Sequence, residues 1–312
     1  MAKVVLAGGS GFLGQALGRR LAADGWEVVV LTRDVDRCPV ADDIPAFRAV
    51  QWNAETGGAW AAEFEGAAAV VNLAGRSVNC VHTLENSREI LESRVKAVKA
   101  LGKGWARAKN PPPVWIQCSA TGYYGNAGDR FCEESLPPGP GFLAEVCRQW
   151  EEAFGALELP GVRRVVLRLG VVLDANRGAL PPLVQLTRRF MGGAAGTGRQ
   201  FCSWIHRDDA TAAFAAALAK PEMAGVFNVC SPDPVTNAEF MRTLRAVLGR
   251  PWSPAAPEWV VRLMAGPLMG VDANLALHGQ RCVPQRLRAA GFLFAQPRLG
   301  PALRDLLGAK LR

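Results

Sequence analysis

The chain has 312 residues, of which 49% are hydrophobic and 21% are charged, as is ordinary for a soluble globular protein. This length is enough for one large α/β domain, or for a large domain with a small lobe, and extensive disorder is not expected. No uncharged apolar run reaches the ~18–20 residues that a membrane span needs, so no contact with a membrane is expected.

The cysteines and histidines give no support for a metal site. Eight cysteines are scattered along the chain without a CxxC pair, and there are three histidines. Cys118 and Cys230 fall in apolar runs, as buried free thiols do in a reducing compartment. The first predicted strand begins at Lys3, so no signal peptide is expected and the predicted location is the cytoplasm.

The formal net charge is +8, and much of it lies near the C-terminus, where residues 281–312 carry seven basic side chains and one acidic side chain. One interpretation is a solvated basic face, and the other is attraction for an anionic ligand. No nucleic-acid-binding motif accompanies these arginines, so binding to nucleic acid is not expected.

Strands and helices alternate along the first half of the chain. Runs of β-branched residues predict strands, and apolar residues at helical spacing predict helices. In chain order the predicted elements are a strand at 3–7, a helix at 12–23, strands at 27–31, 46–52 and 67–75, a helix at 84–108, a strand at 111–120, a helix at 141–157 and a strand at 163–173. This alternation predicts a doubly wound α/β domain of the Rossmann type, with a parallel sheet covered on both faces.

After about Asn176 the pattern is less regular. The predicted elements here are a helix at 181–190, a glycine-rich surface loop at 191–200, strands at 201–206 and 225–230, and a helix at 208–220. We therefore expect residues 1–175 to form the nucleotide-binding core, to which parts of 200–250 return. Residues 176–312 are expected to supply mainly substrate-side loops and a smaller C-terminal lobe.

The segment from Gly8 to Gly14 reads GGSGFLG and contains the pattern G-x-G-x-x-G with one further glycine before it. A strand precedes it, a helix follows and a second strand comes next, which is the context of a dinucleotide-binding turn. Glycine allows backbone N–H groups to approach a pyrophosphate, and the helix N-terminus attracts the anion. The alternative is an ordinary β–α turn. The residues expected to contact the cofactor are Gly8, Ser10, Gly11, Phe12, Leu13 and Gly14.

The end of the second predicted strand indicates which cofactor is bound. NAD sites normally carry Asp or Glu there, whereas this chain has Thr32 and Arg33, which are both expected to contact the cofactor. A guanidinium group can pair with a 2′-phosphate, which a carboxylate would repel, so NADP is favoured over NAD. Asp34 follows one residue too late to bind the ribose hydroxyl. The alternative is that Arg33 is a surface arginine in a loop.

Segments along nearly the whole chain resemble the extended short-chain dehydrogenase/reductases, and in particular the sugar-nucleotide-epimerase-like branch labelled "epimerase family protein". Six segments carry the resemblance: GGSGFLG (8–14), NLAG (72–75), SATGYYG (119–125), RLGVVL (168–173), GTGRQFCSWIHRDD (196–209) and GQRCVPQRLRAAGF (279–292). The last two of these segments are specific to this branch.

The resemblance implies further cofactor contacts. The turn after the fourth strand would lie along the cofactor, with Leu73 and Ala74 at its adenosine half, while Val171 and Val172 would border the nicotinamide. The further cofactor contacts expected from the resemblance are Leu73, Ala74, Gly75, Glu89, Arg94, Val171 and Val172.

The resemblance also indicates that two catalytic residues of active relatives, a Tyr and a Lys, are absent from this chain. Active relatives use a Ser or Thr at the end of the fifth strand, together with a Tyr whose pKa is lowered by a Lys four residues later. Here Thr121 is the candidate hydroxyl, with Ser119 as the other, but Leu143 and Cys147 stand where the Tyr and Lys are expected. No tyrosine lies beyond Tyr124, so no shift of the alignment restores the pair.

Two interpretations of SATGYYG remain open. In the first, Thr121 orients a substrate carbonyl or hydroxyl and Tyr124 lies at the pocket wall. In the second, both tyrosines pack against the end of the sheet, while Ser119 and Thr121 form hydrogen bonds with the backbone. A tyrosine of ordinary pKa, about 10, would be a poor base at neutral pH.

A small-molecule substrate, which could be anionic, is the expected partner. Arg199 and Trp204 are the predicted substrate-binding residues, although Arg199 could equally have a surface role, and His206 is expected to be structural. One functional hypothesis is an NADP-dependent epimerase or oxidoreductase with an altered proton relay. The alternative is an NADP(H)-binding sensor or assembly factor that turns nothing over.

Overall fold

The centre of the fold is a seven-stranded parallel sheet. The structure is a computed structural model that describes residues 1–36, 38 and 46–308, so the basic residues Lys310 and Arg312 of the C-terminal stretch lie outside the described residues. The strands of this sheet are β1 (Lys3–Ala7), β2 (Glu27–Thr32), β3 (Phe47–Gln51), β4 (Ala69–Asn72), β5 (Val114–Ala120), β7 (Arg163–Leu169) and β11 (Gly225–Val229).

The strand order is β11-β7-β5-β4-β1-β2-β3, with parallel register throughout. The central strands are valine- and leucine-rich and almost fully buried, as parallel strands covered on both faces must be. The chain runs outward from β1 in both directions, so the sheet is doubly wound and the predicted fold class is confirmed.

Four long helices cover this sheet. They are α1 (Phe12–Ala23), α2 (Leu84–Trp105), α3 (Phe142–Gly155) and α5 (Arg207–Ala219). The helices α2 and α3 pack against each other, and α1 packs against α5. The helices that the sequence predicts thus connect β1 to β2, β4 to β5 and β5 to β7, whereas β3 and β4 are joined through a short 3₁₀ helix at Ala59–Phe64.

The other strands of the described chain form three short pairs outside the main sheet. They are β8 (Val171–Leu173) with β10 (Trp204–His206), β9 (Phe201–Cys202) with β12 (Val235–Thr236), and β6 (Phe131–Cys132) with β13 (Arg281–Cys282). The remaining helices are α4 (Leu180–Arg188), α6 (Asn237–Val247), α7 (Glu258–Met264), α8 (Asn274–Leu277), α9 (Gln285–Ala289) and α10 (Leu299–Leu307). No helix of the described chain is long and apolar enough to cross a membrane.

The predicted strand at 163–173 is in fact two strands, and this corrects the sequence interpretation. It breaks at Gly170, whose N–H donates to the carbonyl of Val229 at 3.0 Å. After the break, β8 leaves the main sheet and pairs with β10. A Cβ on Gly170 would lie 2.5 Å from the carbonyl oxygen of Ser203, so this crossing needs glycine. The predicted strand at 201–206 likewise divides, at Ser203, into β9 and β10.

The second half of the chain contributes both to the main core and to a separate cluster. The strand β11 extends the main sheet beside β7. A second hydrophobic cluster is built largely from α4, α6 and α10, with Leu180, Phe240 and Leu303 fully or nearly fully buried in it. The carboxylate of Asp209 accepts the backbone N–H groups of Ala295 and Gln296, at 2.8 and 2.9 Å, and so ties the C-terminal segment to α5.

We expect Gly170→Ala to destabilise the protein by about 1–3 kcal/mol, the usual cost of overpacking, because the methyl group would collide with the backbone of Ser203. The matched control is Gly155→Ala, since no atom lies within 4 Å of that added Cβ. Urea denaturation measures both free energies of unfolding. Equal stability of the two variants would contradict the structural role of Gly170.

Candidate functional site

The glycine turn between β1 and α1 brings three backbone segments into close contact. Gly8 has a φ of +76°, and a Cβ there would lie 2.9 Å from the Cα of Ala74. A Cβ on Gly14 would lie 2.5 Å from the Cα of Gly9. The turn therefore needs glycine at both positions, because a side chain at either would collide with neighbouring backbone. Gly8 is also needed for its positive φ.

The N-terminus of α1 is open to a ligand. Its N-cap residue is Gly11, which offers no side chain to bond the first helical N–H groups. Within the described residues, the N–H groups of Phe12, Leu13 and Gly14 have no hydrogen-bond partner. Unpaired N–H groups at the positive end of a helix dipole form an anion site, and a pyrophosphate is the anion that this strand–turn–helix unit fits.

The end of β2 places Arg33 at the rim of a surface pocket. Arg33 is exposed, and its guanidinium makes no hydrogen bond or ion pair with any described residue. The pocket, of about 360 Å³, is lined by Arg33 together with residues 51–53 and 56–60. The rings of Trp52 and Trp60 meet edge to face in its wall, 5.5 Å apart. A free guanidinium beside an aromatic wall suits a phosphorylated nucleoside.

Thr32 supports the turn from within the protein. It is buried, and its hydroxyl lies 3.1 Å from the Oγ of Ser10 and 3.1 Å from the carbonyl oxygen of Asp34. The sequence predicts contact of Thr32 with the cofactor, whereas the structure uses its hydroxyl to join the glycine turn to the end of β2.

The turn after β4 lies against the glycine turn. The N–H of Leu73 donates to the carbonyl of Ala7 at 2.8 Å, and the N–H of Ala74 donates to the Oδ1 of Asn72 at 3.0 Å. The amide of Asn72 also donates to the Oε1 of Gln117 in β5 at 3.0 Å. These bonds fix residues 73–75 beside Gly8, and the contact of these residues with a cofactor stays a prediction.

Glu89 and Arg94 lie on α2, but their environments differ. Glu89 is exposed and forms an ion pair with Arg76. Arg94 instead extends under Gly75, where a Cβ would lie 3.0 Å from the Cγ and Cζ atoms of the arginine. The structure therefore brings Arg94 to the turn after β4, while the carboxylate of Glu89 is neutralised by a neighbouring arginine.

The side chain of Arg94 is half-buried, and burial lowers its pKa. It donates to the carbonyls of Arg76 and Ile90 at 2.9 and 2.8 Å. Its Cζ lies 5.0 Å from the ring centroid of Trp150 in α3. Among the described residues, no carboxylate forms an ion pair with it.

The two candidate hydroxyls at the end of β5 have different partners. Ser119 is buried, and its hydroxyl donates to the Oε1 of Glu151 at 2.6 Å, so it can only accept a further hydrogen bond. Thr121 is also buried, but its hydroxyl forms no hydrogen bond with another group in the described part of the chain. Of the two, Thr121 is the one free to donate to a substrate oxygen.

Tyr124 is held entirely inside the protein, which favours the structural interpretation of SATGYYG and corrects its placement at the pocket wall. Its exposure is 0%, its hydroxyl donates to the Oδ1 of Asn228 at 2.8 Å, and Arg168 donates to it at 2.9 Å. Burial raises its pKa well above the ordinary value. Arg168 also lies over the ring of Tyr123, 3.5 Å from the centroid. Tyr124 therefore serves packing and hydrogen bonding and not proton transfer.

One face of α3 meets the segment after β5. A Cβ on Gly122 would lie 3.5 Å from the Cβ of Leu143 and 3.9 Å from the Sγ of Cys147. Both side chains therefore point at the short 3₁₀ helix Thr121–Tyr124. Burial raises the pKa of Cys147 to about 11, so this thiol stays protonated at neutral pH. Neither side chain can exchange a proton readily there.

Val171 and Val172 follow the crossing at Gly170. Val171 is 40% exposed and Val172 is half-buried. A Cβ on Gly178 would lie 3.4 Å from the carbonyl oxygen of Val172 and 3.6 Å from the ring of Phe12. The structure thus brings the loop after β8 near the start of α1, as a common cofactor site would require.

The two predicted substrate-binding residues differ in their exposure to solvent. Arg199 is exposed, and its side chain has no partner among the described residues. Trp204 is fully buried, and its indole donates to the carbonyl of Asp233 at 3.2 Å, which corrects the expectation that it contacts a substrate. His206 is structural, as expected, because its Nδ1 accepts the N–H of Asp208 at the start of α5.

Sequence reasoning missed the polar residues that organise this end of the sheet. Arg168 pairs with Glu151 through two hydrogen bonds of 2.9 and 2.8 Å. Asn228 bonds Tyr124 and also donates to the carbonyls of Cys132 and Val283, both at 3.1 Å. A charged or amide side chain inside an apolar strand was the available signal, since such groups are buried only with partners.

No group of three or more His, Cys, Asp or Glu side chains that could hold a metal ion occurs in residues 1–36, 38 and 46–308.

Comparisons with known proteins agree with this geometry. A model described as "NAD dependent epimerase/dehydratase family" matches residues 4–144, and a "Domain of unknown function (DUF1731)" matches residues 256–306. The chain is 35% identical over 313 residues to "Epimerase family protein SDR39U1 homolog, chloroplastic" of Arabidopsis thaliana, covering 97% of this chain and 86% of that protein. It is 33% identical over 306 residues to "Epimerase family protein YfhF" of Bacillus subtilis, covering 97% of each.

Solved structures give the same result. The crystal structure of human epimerase family protein SDR39U1 with NADPH superposes with a TM-score of 0.86 at 31% identity, covering 98% of this chain and 99% of that chain. MoeE5 in complex with UDP-glucose and NAD shares the fold, with a TM-score of 0.76 at 18% identity and 98% of each chain covered.

We expect Tyr124→Phe to cost about 1–3 kcal/mol of stability, because it leaves Arg168 and Asn228 each without one buried hydrogen bond. Its affinity for a nicotinamide dinucleotide should stay unchanged, since the hydroxyl does not face a ligand. Urea denaturation and a binding titration measure the two quantities. Unchanged stability together with weakened binding would instead place Tyr124 in the pocket.

Proposed function

The chain belongs to the epimerase family of the short-chain dehydrogenase/reductase type, and on that premise we propose that it binds NADP(H) and acts on a small substrate as an epimerase or oxidoreductase with an altered proton relay. The observation that carries the cofactor assignment is the exposed, unpartnered guanidinium of Arg33 at the rim of its pocket. The human relative's crystal structure contains NADPH, which supports the same choice.

The residues fit each part of the cofactor. The open N-terminus of α1 would hold the pyrophosphate, and Arg33 would hold the 2′-phosphate. Residues 73–75 and the loop after β8 would border the remainder. When bound, the cofactor supplies a hydride donor or acceptor, and the protein binds and orients both it and the substrate.

The substrate would enter at the carboxyl edge of the sheet, near the end of β5. The free hydroxyl of Thr121 is suited to bond a carbonyl or hydroxyl oxygen of a substrate. Arg199, exposed and unpaired, is suited to attract an anionic group. We propose these two residues, and not Trp204, as substrate contacts, and we propose no metal and no nucleic acid as partners.

A second candidate function is favoured by one observation. Leu143 and Cys147 face Gly122 where active relatives are expected to carry the Tyr and Lys. An NADP(H)-binding sensor or assembly factor needs no proton relay, so this replacement would not impair it. Oxidation of protein-bound NADPH on addition of a metabolite extract would favour the enzyme, whereas retention of NADPH would favour the sensor.

The proposed location is the cytoplasm. The relative from Arabidopsis thaliana is named as chloroplastic.

We expect Arg33→Ala to weaken NADPH binding by roughly ten- to a hundredfold and to leave NADH binding unchanged, because charge-assisted hydrogen bonds contribute about 1.5–3 kcal/mol. The matched control is Arg19→Ala, which removes an exposed arginine from the surface of α1. Fluorescence titration or calorimetry with both nucleotides measures the effect. Tighter binding of NADH than of NADPH by the parent protein would contradict the cofactor assignment.

We expect little or no turnover of ordinary sugar nucleotides, because a positioned acid/base group contributes about 10²–10⁴-fold and Leu143 and Cys147 offer none. The variant Leu143→Tyr/Cys147→Lys should raise the rate of epimerisation or reduction, measured by product analysis or NADPH absorbance. Leu143→Phe/Cys147→Met is the matched control, since it changes volume without adding a proton donor. Turnover by the parent protein at rates of about 1–1000 s⁻¹ would contradict this interpretation.

A further inference from the structure

Three cysteines lie together at the short strand pair of β6 and β13. Cys132, Cys230 and Cys282 are all fully buried, and they form one cluster with Tyr124. In the described chain, none of the three takes part in a disulfide bond. The proposed function uses none of these thiols, although the fold brings them together from distant parts of the sequence.

Cys132 and Cys282 occupy the same register position of the strand pair. The strands β6 and β13 are parallel, and Cys282 is the direct partner of Cys132. The side chains of residues paired in this way lie on the same face, and the strands are about 4.8 Å apart. A disulfide needs a Cα–Cα distance of roughly 4.4–6.8 Å, so the spacing of this pair is already suitable. The two thiols also form a hydrogen bond with each other.

The two thiols differ in acidity. The hydrogen bond from the Cys282 thiol and the charge of Arg130 hold the pKa of Cys132 below its ordinary value, against the effect of burial. Burial raises the pKa of Cys282 instead. Cys132 is therefore the more readily ionised of the two, and the thiolate is the form that attacks an oxidant.

An exposed turn leads directly to Cys132. Residues 128–131 are all exposed, and the thiol of Cys132 donates to the carbonyl of Arg130 at 3.6 Å. The pairing of β6 with β13 is only two residues long. A pair this short opens locally at a lower free-energy cost than the main sheet does, and such opening would admit a small oxidant to the buried thiols.

We propose that Cys132 and Cys282 form a reversible disulfide when a hydroperoxide oxidises the protein. With hydrogen peroxide, the thiolate of Cys132 attacks one oxygen and the O–O bond breaks. This gives a sulfenic acid on Cys132 and a hydroxide that becomes water with the proton of that thiol. The sulfur of Cys282 then attacks the sulfur of Cys132, the S–S bond forms, and the hydroxyl leaves as water with the proton of Cys282. Two thiols thus lose two electrons, and one peroxide is reduced to two molecules of water.

The bond would join two segments that hydrogen bonds already hold together. The strand β6 follows SATGYYG, and the carboxylate of Glu134 accepts the N–H groups of Asn228 and Arg286. On the other side, the N–H of Val283 donates to the carbonyl of Cys132 at 3.2 Å. Oxidation would therefore fix the C-terminal part of the chain against the segment that follows β5. This inference does not depend on cofactor binding.

The first experiment counts the thiols and locates the bond. The reduced parent protein is treated with hydrogen peroxide and then denatured in the presence of an alkylating reagent. Six of its eight cysteines should be alkylated, because two have formed the bond. Digestion with trypsin and Glu-C separates Cys132 from Cys147 and should give a linked peptide that contains Cys132 and Cys282. Dithiothreitol should restore eight alkylated cysteines.

Four variants define the pair. Cys132→Ala and Cys282→Ala should each keep all seven remaining cysteines open to alkylation after peroxide treatment. Cys230→Ala removes the third thiol of the cluster and should still form the bond. Cys80→Ala is the matched control, because it removes a half-buried cysteine outside the cluster, and it should also form the bond.

The second experiment measures stability. A disulfide that closes a long loop stabilises a folded protein when its geometry fits, so peroxide treatment should raise the melting temperature of the parent by roughly 3–6 °C. The melting temperature of Cys282→Ala should not rise, because this variant has no partner for Cys132. Circular dichroism before and after treatment confirms that each protein is folded.

Each contrary result overturns a stated part of the proposal. If the treated parent keeps eight alkylated cysteines, or if the linked peptide joins any other two, the assignment of the pair is wrong. Conversion of Cys132 to a sulfinic acid without a linked peptide would show that Cys282 does not react with it. Failure of dithiothreitol to restore the thiols would refute reversibility. An unchanged or lower melting temperature of the linked protein would refute formation of the bond in the native arrangement of β6 and β13.

Discussion

The buried guanidinium of Arg168 is the group on which the geometry at the carboxyl end of β5 and β7 depends. A cation inside a parallel sheet is tolerated only when its donors are satisfied. Glu151 of α3 accepts two of its hydrogen bonds, Tyr124 accepts a third, and the carbonyl of Glu134 lies 3.3 Å away. Removing one partner of such a pair costs about 3–5 kcal/mol. The positions of β7, α3 and the segment after β5 are therefore coupled.

The same network reaches the C-terminal part of the chain. The carboxylate of Glu134 accepts the N–H groups of Asn228 and Arg286, at 3.0 and 3.2 Å. Tyr124 bonds Asn228, which in turn bonds the carbonyl of Val283 beside β13. Because these groups are engaged with one another, the two polar side chains Ser119 and Tyr124 serve structure, and Thr121 is left as the free hydroxyl at this edge.

The strands of the main sheet could be predicted because their signal is local. Central parallel strands are buried on both faces, so they appear as continuous apolar runs between helices of regular spacing. The break at Gly170 could not be predicted in this way, since the carbonyl oxygen that excludes a side chain there belongs to Ser203, on a different strand. The glycine turn was recognisable because its chemistry is a backbone pattern in a local strand–turn–helix context.

The roles of individual aromatic and polar residues depended on tertiary burial instead. Trp204 and Tyr124 lie beside motifs that suggest a pocket, yet both side chains are fully buried. Arg168 and Asn228 stand in apolar strands, which signals that each has a partner but not which one. The sequence therefore predicted the glycine turn in its strand–turn–helix context, whereas it did not predict that Trp204 and Tyr124 are buried.

Arg168 and Arg94 differ in whether the protein supplies a negative charge beside the guanidinium. Burial lowers the pKa of both Arg168 and Arg94, but the hydrogen bonds and charge of Glu151 outweigh it at Arg168 and raise that pKa above the ordinary value. Arg94 has only thiols as electrostatic partners, so its pKa stays lowered. A paired arginine holds the fold together whether or not a ligand is bound. The guanidinium of Arg94 has two carbonyls and an aromatic ring as partners but no carboxylate, so a ligand with negative charge would be favoured beside it. The chain thus keeps open N–H groups at the start of α1 and unpaired arginines, although neither of its two tyrosines is followed by a lysine four residues later.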